Sequence, residues 1–98
     1  MIHYTGAVDA ADGKQIDISL FGDGASSSVA VDVSKNPIGI DFKSGNLPVG
    51  IIFTSGTSPS GYTVTNATVS GTVVTFTLSG PLPVWETLTC TIILGYNP

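Results

Sequence analysis

The ten residues from Thr87 to Tyr96 read TLTCTIILGY, and this stretch decides the fold. Its apolar side chains fall on every second position, and threonines fill the first positions between them. A period of two is typical of a strand with one face in the core, because successive strand side chains point to opposite faces of a sheet. The stripe is the longest in the chain, so we expect this strand to lie at the centre of a sheet.

The same alternation recurs along the rest of the chain, and no segment has helical spacing. Clusters of Gly, Pro, Asn and Asp separate the runs at intervals of about 8 to 12 residues, as in antiparallel sandwiches. Without a helix to cover a sheet, the apolar faces must cover each other. We therefore predict one all-β domain over residues 1–98, an antiparallel β-sandwich of seven or eight strands in two sheets. The predicted inward residues are Ile16, Ile18, Leu20, Val29, Val31, Val33, Ile38, Ile40, Phe42, Val49, Ile51, Phe53, Ala67, Val69, Val74, Phe76 and Leu78.

The Ser70-Gly71 pair predicts the turn of a hairpin. A two-residue loop at this pair places Val69 opposite Thr72 and keeps the apolar side chains on one face. A three-residue loop would turn Phe76 and Leu78 outward and two threonine hydroxyls inward, which costs about 1 to 3 kcal/mol for each unpaired hydroxyl. We therefore expect an even-numbered loop, of two residues or of four.

Charged side chains are scarce. The 98 residues include three lysines, no arginine and seven acids, so 10% of the chain is charged and the net charge is −4. An ordinary soluble domain has about 25% charged residues. The clustered cations that a nucleic-acid partner requires are missing, which excludes that class of partner. A surface so poor in charge suits burial against neighbouring subunits, because an unpaired charge there loses its hydration.

The start of the chain has neither the basic residues nor the apolar run of a secretion signal. No stretch approaches the roughly 18 apolar residues of a membrane span. We therefore expect a protein made in the cytosol, complete from Met1, with no membrane partner.

About a third of the chain resembles a known family. Residues 62–82 read YTVTNATVSGTVVTFTLSGPL, and residues 87–98 read TLTCTIILGYNP. The alternating Val and Thr, the Ser-Gly turn, the Val-Thr-x-Thr-Leu strand, the proline-containing corner and the final strand ending at an aromatic are similar to the last three strands of bacterial and phage immunoglobulin-like repeats. The chain departs from these repeats at Pro81, Pro83 and Trp85, where they have small and polar residues. The resemblance implies an immunoglobulin-like β-sandwich with a structural or adhesive role.

From this resemblance and the low charge we expect a non-catalytic virion component, made in the host cytoplasm. Its form would be a head decoration that binds coat or other virion proteins, or further copies of itself. A tail component is the nearest variant, and the sequence does not separate the two. The alternative is a carbohydrate-binding or adhesin-type immunoglobulin-like module of a cell-surface protein.

The sequence predicts no catalytic, metal or cofactor site. His3 is the only imidazole, and we expect it on the outer face of a first strand whose Ile2 and Tyr4 face inward. Cys90 lies in an apolar stripe, which favours an inert buried thiol. The turn at residues 9–13 has two aspartates but not the ligand spacing of a calcium loop, which favours a turn held by side-chain hydrogen bonds.

Four side chains are candidates for contact with a partner: Trp85, Tyr62, Ile52 and Ile93. Three interpretations of Trp85 stay open: a subunit contact, internal packing at the rim of the sandwich, or stacking on a sugar ring together with Tyr62 or Tyr4. Ile52 and Ile93 fall on the outward side of their strands. Either they form a patch for a partner, or their strand is buried on both faces.

Overall fold

The computed structural model describes residues 1–8, 15–42 and 46–96, and within them it has seven strands and no helix. The predicted all-β class is confirmed. The predicted turn at residues 9–13 lies outside the described residues. The strands are β1 His3–Val8, β2 Gln15–Phe21, β3 Ser28–Asp32, β4 Gly50–Ser55, β5 Val64–Ser70, β6 Val73–Leu78 and β7 Thr87–Gly95.

These strands form two antiparallel sheets that pack together, one in the order β1-β2-β7-β4 and the other in the order β3-β6-β5. β7 lies between β2 and β4, as the length of its apolar stripe predicts. The constant-type immunoglobulin order, ABED and CFG, corresponds in chain order to β1-β2-β5-β4 and β3-β6-β7. Here β5 and β7 have exchanged places. The two packed sheets are confirmed, while the strand order differs from that of a constant-type immunoglobulin domain.

One core lies between the sheets. Phe76 of β6 and Leu82 are fully buried in it, beside the inward-facing residues of β2 and β7. Full burial of such a side chain stabilises the fold by about 1.5 to 3 kcal/mol. Among the described residues, no buried side-chain nitrogen or oxygen lacks a hydrogen-bond partner. The alternation in the sequence therefore identified the core correctly along most strands.

Residues 38–42 do not form the strand that their alternation predicts. The carbonyl of Lys35 accepts hydrogen bonds from the amides of Ile38 (3.0 Å) and Gly39 (2.9 Å), which turns the backbone away from a sheet. Pro37 also has no amide hydrogen for a ladder. Ile38, Ile40 and Phe42 are half-buried and pack on the core from this loop. Their alternation therefore indicated burial, but not strand pairing.

The prediction for Val49 is wrong as well. β4 begins one residue later, at Gly50, and Val49 is exposed ahead of it. Ile51 and Phe53 face the core as predicted and are half-buried.

The β5–β6 hairpin has the predicted face but a different loop. Val69 pairs with Val74 and not with Thr72, and Ser70 pairs with Val73, so the loop residues are Gly71 and Thr72. Val69 pairs as the four-residue alternative predicts. The additional pair of Ser70 with Val73 then shortens the loop to two residues. Because the shift is an even number of residues, every side chain keeps its face. Gly71 has a φ of +60°, as the first loop residue of a type II′ turn requires.

Candidate functional site

Six of the nine exposed large apolar side chains among the described residues form two groups at opposite ends of the four-stranded sheet. The first, which we call the tryptophan end, consists of Met1, Phe21, Val84 and Trp85. The second, which we call the isoleucine patch, consists of Ile52 and Ile93. Phe21 pairs with Thr87 at one end of the β2–β7 ladder, and Gln15 pairs with Ile93 at the other. At about 3.4 Å per residue, β2 separates the two groups by roughly 20 Å.

Trp85 occupies a turn position that disfavours a large side chain. The amide of Glu86 donates to the carbonyl of Pro83 (3.1 Å), so Pro83–Glu86 is a four-residue turn with Trp85 at its third position. Trp85 has a φ of +73°, the only positive value at a non-glycine among the described residues. A type II turn has such a φ at this position and normally places Gly or Asn there. For another residue the conformation costs about 1 to 2 kcal/mol.

Burial does not offset this strain, because the Trp85 side chain is 93% exposed. Of the three open interpretations of Trp85, internal packing at the rim of the sandwich is therefore wrong. The subunit-contact and sugar-stacking interpretations both require an exposed ring, so both remain.

The turn is held firmly by the residues on either side of it. The amide of Gly22 donates to the carbonyl of Glu86 (3.0 Å), and the amide of Gly24 donates to the carbonyl of Leu82 (2.8 Å). A Cβ atom at Gly22 would lie 1.9 Å from the carbonyl oxygen of Pro83, so only glycine permits this approach. The Leu82 side chain is fully buried beneath the turn. Hydrogen bonds to the end of β2 and packing on the core therefore hold the strained backbone at Trp85 in place.

A second set of hydrogen bonds ties the turn to the loop before β5. The Glu86 carboxylate accepts from the Ser60 amide (2.8 Å) and from the Ser60 hydroxyl (2.5 Å). Hydrogen bonding from Ser60 lowers the pKa of Glu86, and partial desolvation opposes this effect. The carboxylate is therefore ionised at neutral pH, and it fixes the residue next to Trp85.

The tryptophan end borders an open cavity of about 590 Å³. Its polar groups come from His3 and Asp23. The Asp23 carboxylate already accepts from the Met1 amino group (2.8 Å) and from Ser26 (2.7 Å), and these bonds hold its pKa far below its ordinary value. It is therefore a fixed anion whose oxygens are engaged, and not a free acid or base. The full lining is Met1, His3, Phe21, Gly22, Asp23, Val84 and Trp85.

The isoleucine patch lies where β4 meets β7. Ile52 and Ile93 are directly opposite each other in the register, and they are 69% and 45% exposed. The next pair on the same face of the ladder is Gly50 with Gly95, so the isoleucine side chains have no side chain beside them there. The alternative of a strand buried on both faces is wrong. The role of the exposed patch in binding stays a prediction.

Tyr62 lies apart from both surfaces. Its side chain is half-buried against the core, and its ring is 2.7 Å from where a Cβ atom of Gly80 would be. It does not line the cavity beside Trp85. The structure therefore brings Ile52 together with Ile93, but it does not bring Tyr62 together with Trp85.

Sequence reasoning missed three residues of the tryptophan end. Phe21 carried a signal, because it continues the outward face of β2 that includes Asp17 and Ser19. Met1 and Val84 carried none, since their proximity depends on the order of β1, β2 and β7 in the sheet.

The remaining chemical candidates lie where the sequence predicts them. His3 is exposed on the outer face of β1, while Ile2 is buried and Tyr4 half-buried, as predicted. Cys90 is buried as predicted, and desolvation raises the pKa of its thiol to about 11. Among the described residues, no group of three His, Cys, Asp or Glu side chains is placed to hold a metal ion.

No family model, no curated protein and no solved structure matches the chain. The resemblance of residues 62–98 to immunoglobulin-like repeats therefore stays a prediction. No helix long and apolar enough to cross a membrane occurs within the described residues. The candidate binding surfaces are therefore the tryptophan end and the isoleucine patch.

Proposed function

We propose that this chain is a non-catalytic structural protein that attaches to protein subunits of an assembly through the tryptophan end. Its specific form is a virion component, with an immunoglobulin-like sandwich of altered strand order, that decorates a lattice of coat subunits. One observation carries the proposal: Trp85 is exposed at a turn position where folding alone favours glycine.

The free energy of that turn supports the proposal. A strained, exposed tryptophan lowers the stability of the free protein, and such outliers point to a function that uses them. Tryptophan is among the residues most enriched at the centres of protein interfaces. Burial of an aromatic side chain removes about 150 to 250 Å² from water, which corresponds to roughly 4 to 6 kcal/mol before the costs of association. The Trp85 ring therefore contributes a large favourable free energy only when a partner covers it.

The surroundings of Trp85 favour a protein partner. Val84, Phe21 and Met1 are exposed beside it and extend the apolar area. A standard interface covers about 800 Å² on each partner, so a single tryptophan needs further apolar surface around it to form an interface of that size. On a lattice, many copies attached by the same modest contact give stable decoration, because each symmetric site repeats it.

The test is co-sedimentation with particles assembled from the coat protein encoded in the same genome. We expect the wild-type protein to sediment with the particles and Trp85→Gly to bind at least about 30-fold more weakly, as for an interface hot spot. Thr75→Ala, on the exposed face of the other sheet, is the matched control and should bind like the wild type. Equal binding by Trp85→Gly and the wild type would overturn the proposal.

A second candidate function is carbohydrate binding, favoured by one feature of the cavity. The rings of Trp85 and Phe21 lie in the same cavity as the imidazole of His3. Aromatic faces suit the apolar side of a sugar ring, and an imidazole can hydrogen-bond its hydroxyls. Retention on a glycan array that is lost in Trp85→Ala, together with no binding to particles, would replace the first function with this one.

A further inference from the structure

The two sheets end at four edge strands, β1 and β4 in one sheet and β3 and β5 in the other. Natural proteins protect such edges with short strands, charges or bulges, because unpaired backbone groups otherwise pair with another chain. β5 has a register irregularity between Val64 and Asn66. β3 is short and ends at Asp32. β1 is as long as β4 and has no acid, lysine or register shift, but its outward residues Thr5 and Ala7 offer a second copy no large apolar side chain.

From Ile51 to Ser55, β4 also has none of these protections; just ahead of this stretch the Val49 amide donates to the carbonyl of Gly95 (2.8 Å), the partner of Gly50, as at a β-bulge. β4 reads GIIFTS, with no charge and no proline, and its register against β7 is regular. No strand pairs with its other side within residues 1–8, 15–42 and 46–96. β5 belongs to the other sheet and approaches β4 at Ser55, whose hydroxyl accepts from the Val64 amide (2.8 Å). The open part of the edge is therefore Gly50–Phe53.

The register identifies the backbone groups that face this open edge. The amide of Gly56 donates to the carbonyl of Thr89 (2.8 Å) and continues the β4–β7 ladder. In an antiparallel ladder the hydrogen-bonded positions alternate. The even-numbered residues of β4 therefore bond to β7, and the N–H and C=O groups of Ile51 and Phe53 point away from it.

We propose that the chain forms a two-fold symmetric dimer in which β4 pairs antiparallel with β4 of a second copy. Ile51 of each copy pairs with Phe53 of the other, which gives four backbone hydrogen bonds between the copies. Ile52 then lies directly opposite Ile52 of the second copy as a non-hydrogen-bonded pair, with Cα atoms about 4.5 Å apart. The two sheets become one continuous sheet of eight strands.

The isoleucine patch fits this arrangement. A two-fold axis perpendicular to the sheet keeps both patches on the same face, so Ile93, Ile52 and their two counterparts form one apolar stripe across the joined strands. A second copy is the favoured occupant because the edge is complementary to itself under a two-fold axis. β4 and β7 carry no charged residue, so nothing repels a copy and nothing selects a charged partner.

The dimer is independent of the proposed attachment, since it uses no residue of the tryptophan end. The mass of the purified chain in solution reports it without any particle. We expect a species of twice the chain mass of 10.0 kDa. A monomer at all concentrations, or an oligomer larger than a dimer, would overturn the inference.

Two lysine variants test which edge is used. Ile52→Lys places two ammonium groups side by side at the dimer axis, and we expect the dissociation constant to rise roughly a hundredfold. Thr5→Lys, which adds the same charge to the outward face of edge strand β1, is the matched control and should stay dimeric. A dimeric Ile52→Lys would contradict the inference. Loss of particle binding by Trp85→Gly with the dimer intact would separate the two proposals.

A cysteine variant keeps the test valid if a lysine disturbs folding. Opposed Ile52→Cys residues have Cα atoms within the range of a disulfide, so mild oxidation should give a covalent dimer. Thr5→Cys should stay monomeric on a denaturing gel, and the buried native Cys90 should not react. Equal cross-linking of the two variants, or none with Ile52→Cys, would count against the pairing.

Discussion

Among the segments of this molecule that place a residue at positive φ, two turns fill that position differently. In the β5–β6 hairpin the residue is Gly71, with a φ of +60°. In the turn before β7 it is Trp85, with a φ of +73°. The first choice follows the local rule for turns, and the second violates it. Natural sequences violate such rules mainly at functional sites, so the comparison identifies Trp85 from backbone geometry alone.

The two turns also differ in their support. The hairpin is held by its own strands, where Ser70 pairs with Val73. The Trp85 turn is anchored from outside its own segment, by the buried Leu82, the close approach of Gly22 and the Glu86–Ser60 bonds. A conformation that is unfavourable by itself requires such surroundings.

The first prediction concerns the buried side chain that supports the Trp85 turn. Leu82→Ala should lower the free energy of unfolding by about 3 kcal/mol, because it leaves a cavity in a fully buried site. Denaturant unfolding measures the change. Pro81→Ala, at the exposed neighbouring residue, should stay within about 0.5 kcal/mol of the wild type. A loss below about 1 kcal/mol for Leu82→Ala would show that the turn does not depend on this anchor.

The second prediction concerns Gly71 in the turn of the β5–β6 hairpin. Gly71→Val should lower the free energy of unfolding by about 2 kcal/mol, because a β-branched residue strains the backbone at this φ. At about 4 to 8 °C for each kcal/mol, the melting temperature should fall clearly. Gly71→Asn should lose less, since Asn tolerates positive φ. If Val and Asn had equal effects, backbone strain would not be the cause.

The third prediction is a gain in stability at the Trp85 turn. Trp85→Gly should raise the free energy of unfolding by about 1 kcal/mol, because it relieves the strain and loses little burial. Trp85→Ala keeps the strained backbone and should show no such gain, so thermal melting of the two variants isolates the effect of φ. A destabilised Trp85→Gly would mean that the exposed ring contributes to folding after all.

The smallest effect concerns pH. The pKa of Glu86 is lowered in the folded protein from an ordinary value of 4.5, so its bonds to Ser60 stabilise the fold above that pH. The stabilisation is lost as the pH falls through the lowered pKa. Glu86→Gln should therefore melt below the wild type at pH 7, with the gap closing in acid. Asp23 and Asp32 titrate in both proteins, so the difference between the two curves reports Glu86. A gap that stays constant in acid would assign the effect to packing.

The core was readable from the sequence because a period of two is a local signal. Val31, Phe76 and Ile92 are buried as that period predicts. Strand order was not readable, because it depends on pairings between distant segments such as Gln15 with Ile93. The run from Ile38 to Phe42 was misassigned because alternation marks burial and cannot distinguish a strand from a loop that packs on the core.

The sequence predicted only part of the two candidate surfaces, because the rest depends on pairings between distant segments. The outward position of Ile52 and Ile93 followed from alternation, and their direct pairing followed only from the sheet order. Trp85 was a candidate by residue type. Its positive φ and the approach of Met1 and Phe21 depend on how the ends of β1, β2 and β7 meet.

The central place of β7 has a consequence for synthesis. β2 and β4 do not pair with each other, and each pairs with β7, which the ribosome makes after the other six described strands. A nascent chain that stops before Thr87 therefore has no four-stranded sheet. Such long-range pairing slows folding, and it delays the finished β4 edge until translation has passed Gly95. Incomplete chains thus lack the structured edge on which a second copy would dock.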